Sequence, residues 1–334
     1  MLAEAAILEG EWTPTPSDPG TVQEWAERWL AGAHHLAPRT ARNTRIALAK
    51  HVIPALGDIL VPDLTRQQVE DWVATLIQRG YAPDTIRLAV SSLRGALTAA
   101  ERAGVATRRP ADRLGLPRPR KRELNVLSPE EVDHLCAVLP TDQDRLVVLL
   151  ATYCGLRAGE IAGLTVERVD ISTRRLTVVE AMSEVDGELV RKAPKTNRVR
   201  TVPIPEVVVP ILAAVLSSRP ADAGAPLFEG GEGKPWRYAS WYRHHFRPAV
   251  QQIGRGELRF HDLRHTYASW LIRSGVHPHT VMTLLGHSSI TVTMNVYGHL
   301  MPDSASDAAA RLDALANEAR ECGKGTIRAR KKTS

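Results

Sequence analysis

Residues Leu284–Leu300 read LLGHSSITVTMNVYGHL, and the way this stretch divides sets the reading of everything upstream. Pro278 can open a helix that runs to Leu285, and Gly286 ends it, which puts His287 at a helix boundary. The segment from Ser289 to Leu300 then delivers Tyr297, ten residues beyond that histidine. A protonated tyrosine is a poor nucleophile, with an ordinary pKa of about 10. Chemistry at Tyr297 therefore needs partners from elsewhere in the chain.

Working back from that stretch, FHDLRHTYASWLIRSG carries His261 and Arg264 three residues apart, on one helical face. Tyr267 falls mid-helix and reads as core. Further upstream, β-branched runs at 175–180, 188–191 and 198–204 predict a small antiparallel sheet, with Asp186-Gly187 as a hairpin signal. Lys195, in APKTNRVRTVPI, occupies the turn entering the last strand, where its ammonium could reach over the sheet edge. Before the sheet, a buried helix from Leu146 to Cys154 breaks at Gly155 into GLRAGEIAGL. Arg157 and Glu160 share a face if the helix resumes there, and taken alone that pair reads as a surface salt bridge. Ser128-Pro129-Glu130-Glu131 is a capping box and marks the start of this domain.

The N-terminal part is a different module. After a Pro-rich arm over residues 1–19, four helical patterns follow within residues 20–105, from Thr21, from Pro38 to about Ile53, from Thr65, and from Pro83 to near Gly104. Arg39, Arg42 and Arg45 lie along the second helix and Arg87 and Arg94 along the fourth, so one face can be cationic. TRRPADRLGLPRPRKR, Thr107–Arg122, sets seven basic residues against one aspartate. Its prolines prevent a regular helix, so 106–127 reads as a basic linker in which Arg118, Arg120 and Lys121 can follow a phosphate backbone. A last amphipathic helix runs from about Ala305 to Leu315, and a basic tail occupies 319–334.

Composition agrees with a polyanionic partner: 334 residues carry a net charge of +6 and a pI near 9.4. Three widely spaced cysteines without a C-x-x-C pair predict reduced thiols and a cytoplasmic setting, with Cys154 in the core. No apolar run approaches the ~20 residues of a membrane span. GGEGKP at Gly230–Pro235 lacks the closing hydroxyl of a nucleotide-binding loop.

Taken in order, Arg157 in GLRAGE, Lys195, His261-x-x-Arg264, His287 in LLGH and Tyr297 resemble the tyrosine recombinases, the phage integrase family. Six residues in one order over about 140 positions carry that resemblance. It implies a C-shaped, two-domain DNA clamp: a helical core-binding domain at 20–105 and a catalytic domain, mainly α with a small antiparallel sheet, at 128–318. It implies that Tyr297 attacks a DNA phosphodiester to form a 3'-phosphotyrosine and free a 5'-hydroxyl, which reverses on another strand. By the same resemblance Arg157 and Arg264 hold the phosphate, Lys195 protonates the leaving oxygen, His261 assists proton transfer, His287 hydrogen-bonds the phosphate, and Glu160 supports Arg157. The exchange conserves ester bond energy, so it calls for no cofactor and no metal. The expected partners are double-stranded DNA, three further copies forming a homo-tetramer on two DNA sites, and accessory DNA-bending or excision factors; no membrane is involved.

Two other readings stand against this. His261 and His265, at i and i+4, have the spacing of a helical zinc site, but Asp262 replaces the usual Glu and Arg264 brings a cation onto nearly the same face. A non-catalytic DNA-binding factor would be expected to have a broken set, and this one is intact. Within the family, the expected role is integration or excision of a mobile element, with resolution of chromosome or plasmid dimers as the alternative.

Overall fold

A computed structural model describes residues 19–298 apart from 35, 106–107, 120–123, 193–198, 221, 223, 232–233 and 288, together with 309, 312–314 and 316–317. Lys195, Arg120, Lys121, most of the N-terminal arm and the basic tail lie outside the described residues, as does much of the last helix. The chain divides into two compact units, 1–122 and 123–334.

The first unit is helical. Thr21 opens α1 (Val22–Ala31) with a capping box closed by Glu24. Then follow α2 (Pro38–Ala47), a π-helical turn (Leu48–Val52) and α3 (Ile53–Leu56). The second helical pattern therefore continues past the expected end near Ile53, and the π turn is the reason. Pro54 has no N–H and its ring collides with the carbonyl four residues back, so the turn before it widens and Ile53 N donates to Leu48 O. Pro248 follows a second π turn, Tyr242–Phe246, in the same way. Thr65 caps α4 (Arg66–Gln78), and α5 (Pro83–Arg102) completes the unit. Val22, Trp25, Val69, Trp72, Ile86 and Leu93 form its core.

Three arginines on these helices fasten the start of the basic linker. Arg66 donates to the carbonyls of Asp112 and Arg113, Arg87 to that of Pro117, and Arg94 to that of Ala111 at 2.7 Å. Ala111, Leu114 and Leu116 pack on the helical core.

In the second unit α6 (Pro129–Ala137) leads to α7 (Asp142–Tyr153), whose residues Leu146–Thr152 are all buried, as expected of a helix apolar on every side. Gly155 then turns the chain with φ +66° into α8 (Ala158–Ala162). The expected single sheet is two sheets. β1 (Val169–Asp170), β2 (Arg175–Val178) and β5 (Arg200–Pro203) form one in the order β1-β2-β5, all antiparallel. β3 (Ala181–Val185) and β4 (Glu188–Lys192) form the other, joined by Asp186 and Gly187, both at positive φ as a type I′ turn requires. Ala-Met-Ser-Glu in β3 lacks β-branched residues, so the sequence pattern does not signal that strand. α9 (Val209–Ser217), α10 (Tyr238–Trp241) with its π turn, and α11 (Arg247–Gln252) follow. Then come α12 (Phe260–Arg273), α13 (Pro278–Leu285) and α14 (Ile290–Tyr297).

Gly155 is where this packing is tightest. A Cβ there would lie 2.3 Å from the buried ring of Tyr267, whereas Gly275, also at positive φ, has open space around it. Gly275→Ala should lose only the ~1–2 kcal/mol of a left-handed L-residue. Gly155→Ala should lose that and a further ~1–3 kcal/mol of overpacking. Urea unfolding of the full chain measures both, and equal losses would contradict the packing described for Gly155.

Candidate active site

The site is built where α8, β5, α12 and α13 meet. Arg157 is the N-cap of α8, in extended backbone, and Glu160 sits at its third position. Glu160 reaches back, accepting from the Arg157 backbone N–H at 2.9 Å and from Arg157 Nη1 at 2.8 Å. From the opposite side Arg200, the first residue of β5, meets the same carboxylate fork to fork at 2.9 and 2.7 Å. Arg264 stands 3.8 Å from it. The pair read as a surface salt bridge therefore has its carboxylate buried: Glu160 is 2% exposed, because three guanidiniums enclose it. Burial alone would raise this carboxyl, but the hydrogen bonds and charge of Arg200, with Arg157 and Arg264 behind it, hold it at about 2.

The same three arginines cap the end of α13. Gly286 adopts φ +61° and ends the helix, leaving the last carbonyls without intrahelical partners. Arg200 Nε donates to Leu284 O at 3.0 Å, Arg264 donates to Leu285 O, and Arg157 Nη2 donates to Gly286 O at 3.3 Å. The negative end of the helix thus faces three cations. Arg264 also donates to Gly155 O. Burial first, and then the charge of Arg157, push Arg264 down to about 9, so it stays cationic at neutral pH.

This capped helix end sets His287 beside the cluster. His287 Nδ1 lies 2.9 Å from Thr293 Oγ1 of α14, and burial followed by the charges of Arg264 and Arg157 lowers its pKa to about 4. On α12 the surrounding protein and then His265, Arg264 and Arg157 lower His261 to about 4. The His261 ring still meets solvent, and its lowered pKa favours neutral imidazole at pH 7. Tyr297 ends α14, is 2% exposed, and packs with Tyr267, Val281 and Leu285. Burial pushes its phenol above the ordinary value, against the pull of Arg264. Its Oη is 2.5 Å from His265 Nδ1.

The structure brings together Arg157, Glu160, Arg264, His261, His287 and Tyr297. The cationic candidates of the first unit are placed separately: Arg39, Arg42 and Arg45 are exposed on α2, Arg118 is exposed, and Arg87 and Arg94 hold the linker. Two residues at the site were not picked out from the sequence. Arg200 shares the inward face of β5 with Val202, and a charged residue at an inward strand position is the signal that could have found it. His265 was noticed only as half of a metal spacing, whereas its Nδ1 is directed at Tyr297.

Glu160 generates a stability prediction. Its folded pKa lies below its ordinary value of 4.5, so its contribution is fully present above that pH and is lost as pH falls toward 2. The shift is worth about 3 kcal/mol. Glu160→Gln keeps the shape but removes the countercharge, and should destabilise by about 3–5 kcal/mol at pH 7. Urea unfolding at pH 7, 4 and 3 should show the gap between wild type and variant closing as pH falls; a constant gap would contradict the ionic account.

Comparison with known proteins agrees with this geometry. Residues 125–303 match the model of the phage integrase family, and residues 21–77 match the phage integrase N-terminal SAM-like domain. A XerC-like tyrosine recombinase of Caldanaerobacter subterraneus is 27% identical over 276 residues, covering 74% of this chain and 70% of that protein. The ICEBs1 integrase of Bacillus subtilis is 25% identical, covering 83% of this chain and 78% of that protein. The fold is shared with the Tn1549 transposon integrase, solved in complex with a circular intermediate DNA, at a TM-score of 0.76 and 20% identity, covering 87% of this chain and 99% of that one. With residues 125–303, more than half of its length, matched by that family model, the chain belongs to the phage integrase family and is a tyrosine-type site-specific recombinase.

Proposed function

We propose that Tyr297 is the nucleophile that cuts and rejoins DNA, and that Arg157 and Arg264 neutralise the phosphate it attacks. The observation that carries this reading is the cluster itself. Three guanidinium charges face one carboxylate charge, which leaves two positive charges in a largely water-excluded site beside a buried tyrosine. Such a surplus suits a phosphodiester whose non-bridging oxygens gain negative charge during attack. Arg157 is the most open of the three, with its side chain 25% exposed against 7% for Arg200 and 3% for Arg264. Each Nη of Arg264 has a second N–H beyond the one given to a carbonyl. Neutral His287 can donate to a phosphate oxygen. Lys195 is assigned the protonation of the departing 5'-oxygen from the family pattern, and Glu160 the positioning of Arg157.

Integration or excision of a mobile element is the biological role we favour, since the ICEBs1 and Tn1549 relatives are integrases of such elements by name. The XerC-like relative keeps dimer resolution as the alternative. One protomer cuts one strand, so exchange between two duplexes requires four copies, with accessory bending or excision factors adding direction. The exposed Arg39, Arg42 and Arg45 with the basic linker supply the phosphate contacts that the first unit needs. The setting we propose is the cytoplasm; among the described residues no helix is long and apolar enough to cross a membrane.

A nicked suicide duplex, which releases a short strand after cleavage, should trap a covalent adduct with wild-type protein. Tyr297→Phe should abolish it, and Arg157→Ala or Arg264→Ala should slow it by roughly 10²–10³-fold. An adduct with the Phe variant would overturn the assignment of the nucleophile. Affinity for the same duplex should fall with salt, log against log, with a slope of about −0.9 per phosphate contacted; a flat dependence would argue against the cationic face.

A further inference from the structure

The phenol of Tyr297 has to lose a proton as its oxygen bonds to phosphorus, and burial makes that loss harder. Two histidines of α12 stand near, one helical turn apart, with their rings edge to face at 4.8 Å between centroids. The ring in hydrogen-bond contact with Tyr297 Oη is His265, through Nδ1 at 2.5 Å. The rings of His265 and Tyr297 lie 5.7 Å apart and tilted at 55°, with the imidazole Nδ1 on the hydroxyl.

Resting on the reading of Tyr297 as nucleophile, we propose that His265 is a further catalytic residue, the general base that takes the Tyr297 proton during cleavage and returns it during rejoining. In the forward step the Tyr297 Oη–phosphorus bond forms, the phenolic proton passes to His265 Nδ1, and the phosphorus–O5' bond breaks with a proton supplied to the leaving oxygen by the acid, assigned to Lys195. In the reverse step the 5'-hydroxyl attacks and its proton returns to the acid assigned to Lys195, while the Tyr297 Oη–phosphorus bond breaks and His265 gives its proton to the departing phenolate. No other reactant is needed, and the base ends each full exchange in its starting form.

The surroundings favour an imidazole that starts neutral. His265 is half-buried, and the groups that face it are His261, Asp262 and Arg264 on its own helix, Arg259 at that helix's N-cap, His287 after α13 and Tyr297 on α14. Burial lowers its pKa; Asp262 pulls the other way, while Arg259 and Arg264 add to the lowering. Neutral Nδ1 can accept the phenolic hydrogen when the ring carries its own proton on Nε2. The arrangement also separates two duties: His261 meets solvent at the mouth of the site, and His265 lies inside against the nucleophile.

Single-turnover cleavage of the nicked suicide duplex, at saturating full-length protein and from pH 5.5 to 9.5, tests the proposal. His265→Asn keeps an acceptor where Nδ1 stands and can orient the phenol without taking its proton, whereas His265→Ala does neither. If His265 is the base, both variants should cleave about 10²-fold more slowly at pH 7. Their rates should then rise about tenfold per pH unit as hydroxide replaces the base, while the wild type stays level above neutral pH. His265→Gln serves if either variant loses the wild-type helical signal or DNA affinity. A folded Asn or Gln variant that cleaves within threefold of wild type with an unchanged pH profile overturns the proposal. A wild-type protein that forms no adduct would instead overturn the nucleophile reading on which it rests, so the two failures are distinguishable.

Discussion

The second unit depends on a charge that cannot be left alone. Glu160 is buried, and an isolated carboxylate there would cost several kcal/mol. Arg200, Arg157 and Arg264 compensate it, and the same three side chains satisfy the carbonyls of Leu284, Leu285 and Gly286 at the end of α13. One network therefore ties α8, β5, α12 and α13 to a common point. None of the four can shift without uncovering a buried charge or a bare carbonyl. The surplus of positive charge that remains is what we propose holds a phosphate.

Gly286 is where this network meets the chemistry. Its left-handed backbone ends α13, and a Cβ there would stand 3.1 Å from Arg200 Nη1, so the position suits a residue without a side chain. His287 follows directly and is anchored to Thr293 of α14, the helix that ends in Tyr297. The clustered arginines, the histidine and the tyrosine are thus linked through one turn and one short helix. Tyr297 lies in an apolar cluster with its hydroxyl on His265, and its burial there favours the protonated phenol.

Much of this was legible in the sequence because local chemistry decides it. The helix starts at Thr21 and Thr65, the capping box at Ser128, the stop at Gly286 and the Asp186-Gly187 turn each depend on a few neighbouring residues, and each stands as the pattern reads. What was not legible depends on residues far apart in the chain. Glu160 looks like half of a surface pair until Arg200, forty residues on, closes over it. His265 looks like a metal spacing until α14 folds back and brings Tyr297 to it. Arg87 and Arg94 read as a cationic face, whereas they donate to linker carbonyls at Pro117 and Ala111. The split into two sheets follows from a strand, Ala181–Val185, that no propensity marks and that pairing across the hairpin creates.

We propose that a single tyrosine, set beside this network, becomes joined to DNA. Trypsin separates the two buried tyrosines of the site cleanly: Tyr297 lies in the peptide Ser274–Arg311, and Tyr267 in the peptide His265–Arg273. Mass spectrometry of the trapped complex, after digestion with trypsin and nuclease, should place a nucleotide remnant on Ser274–Arg311, localised to Tyr297 and linked through a 3'-phosphate. A remnant on His265–Arg273, or one linked through a 5'-phosphate, would contradict it.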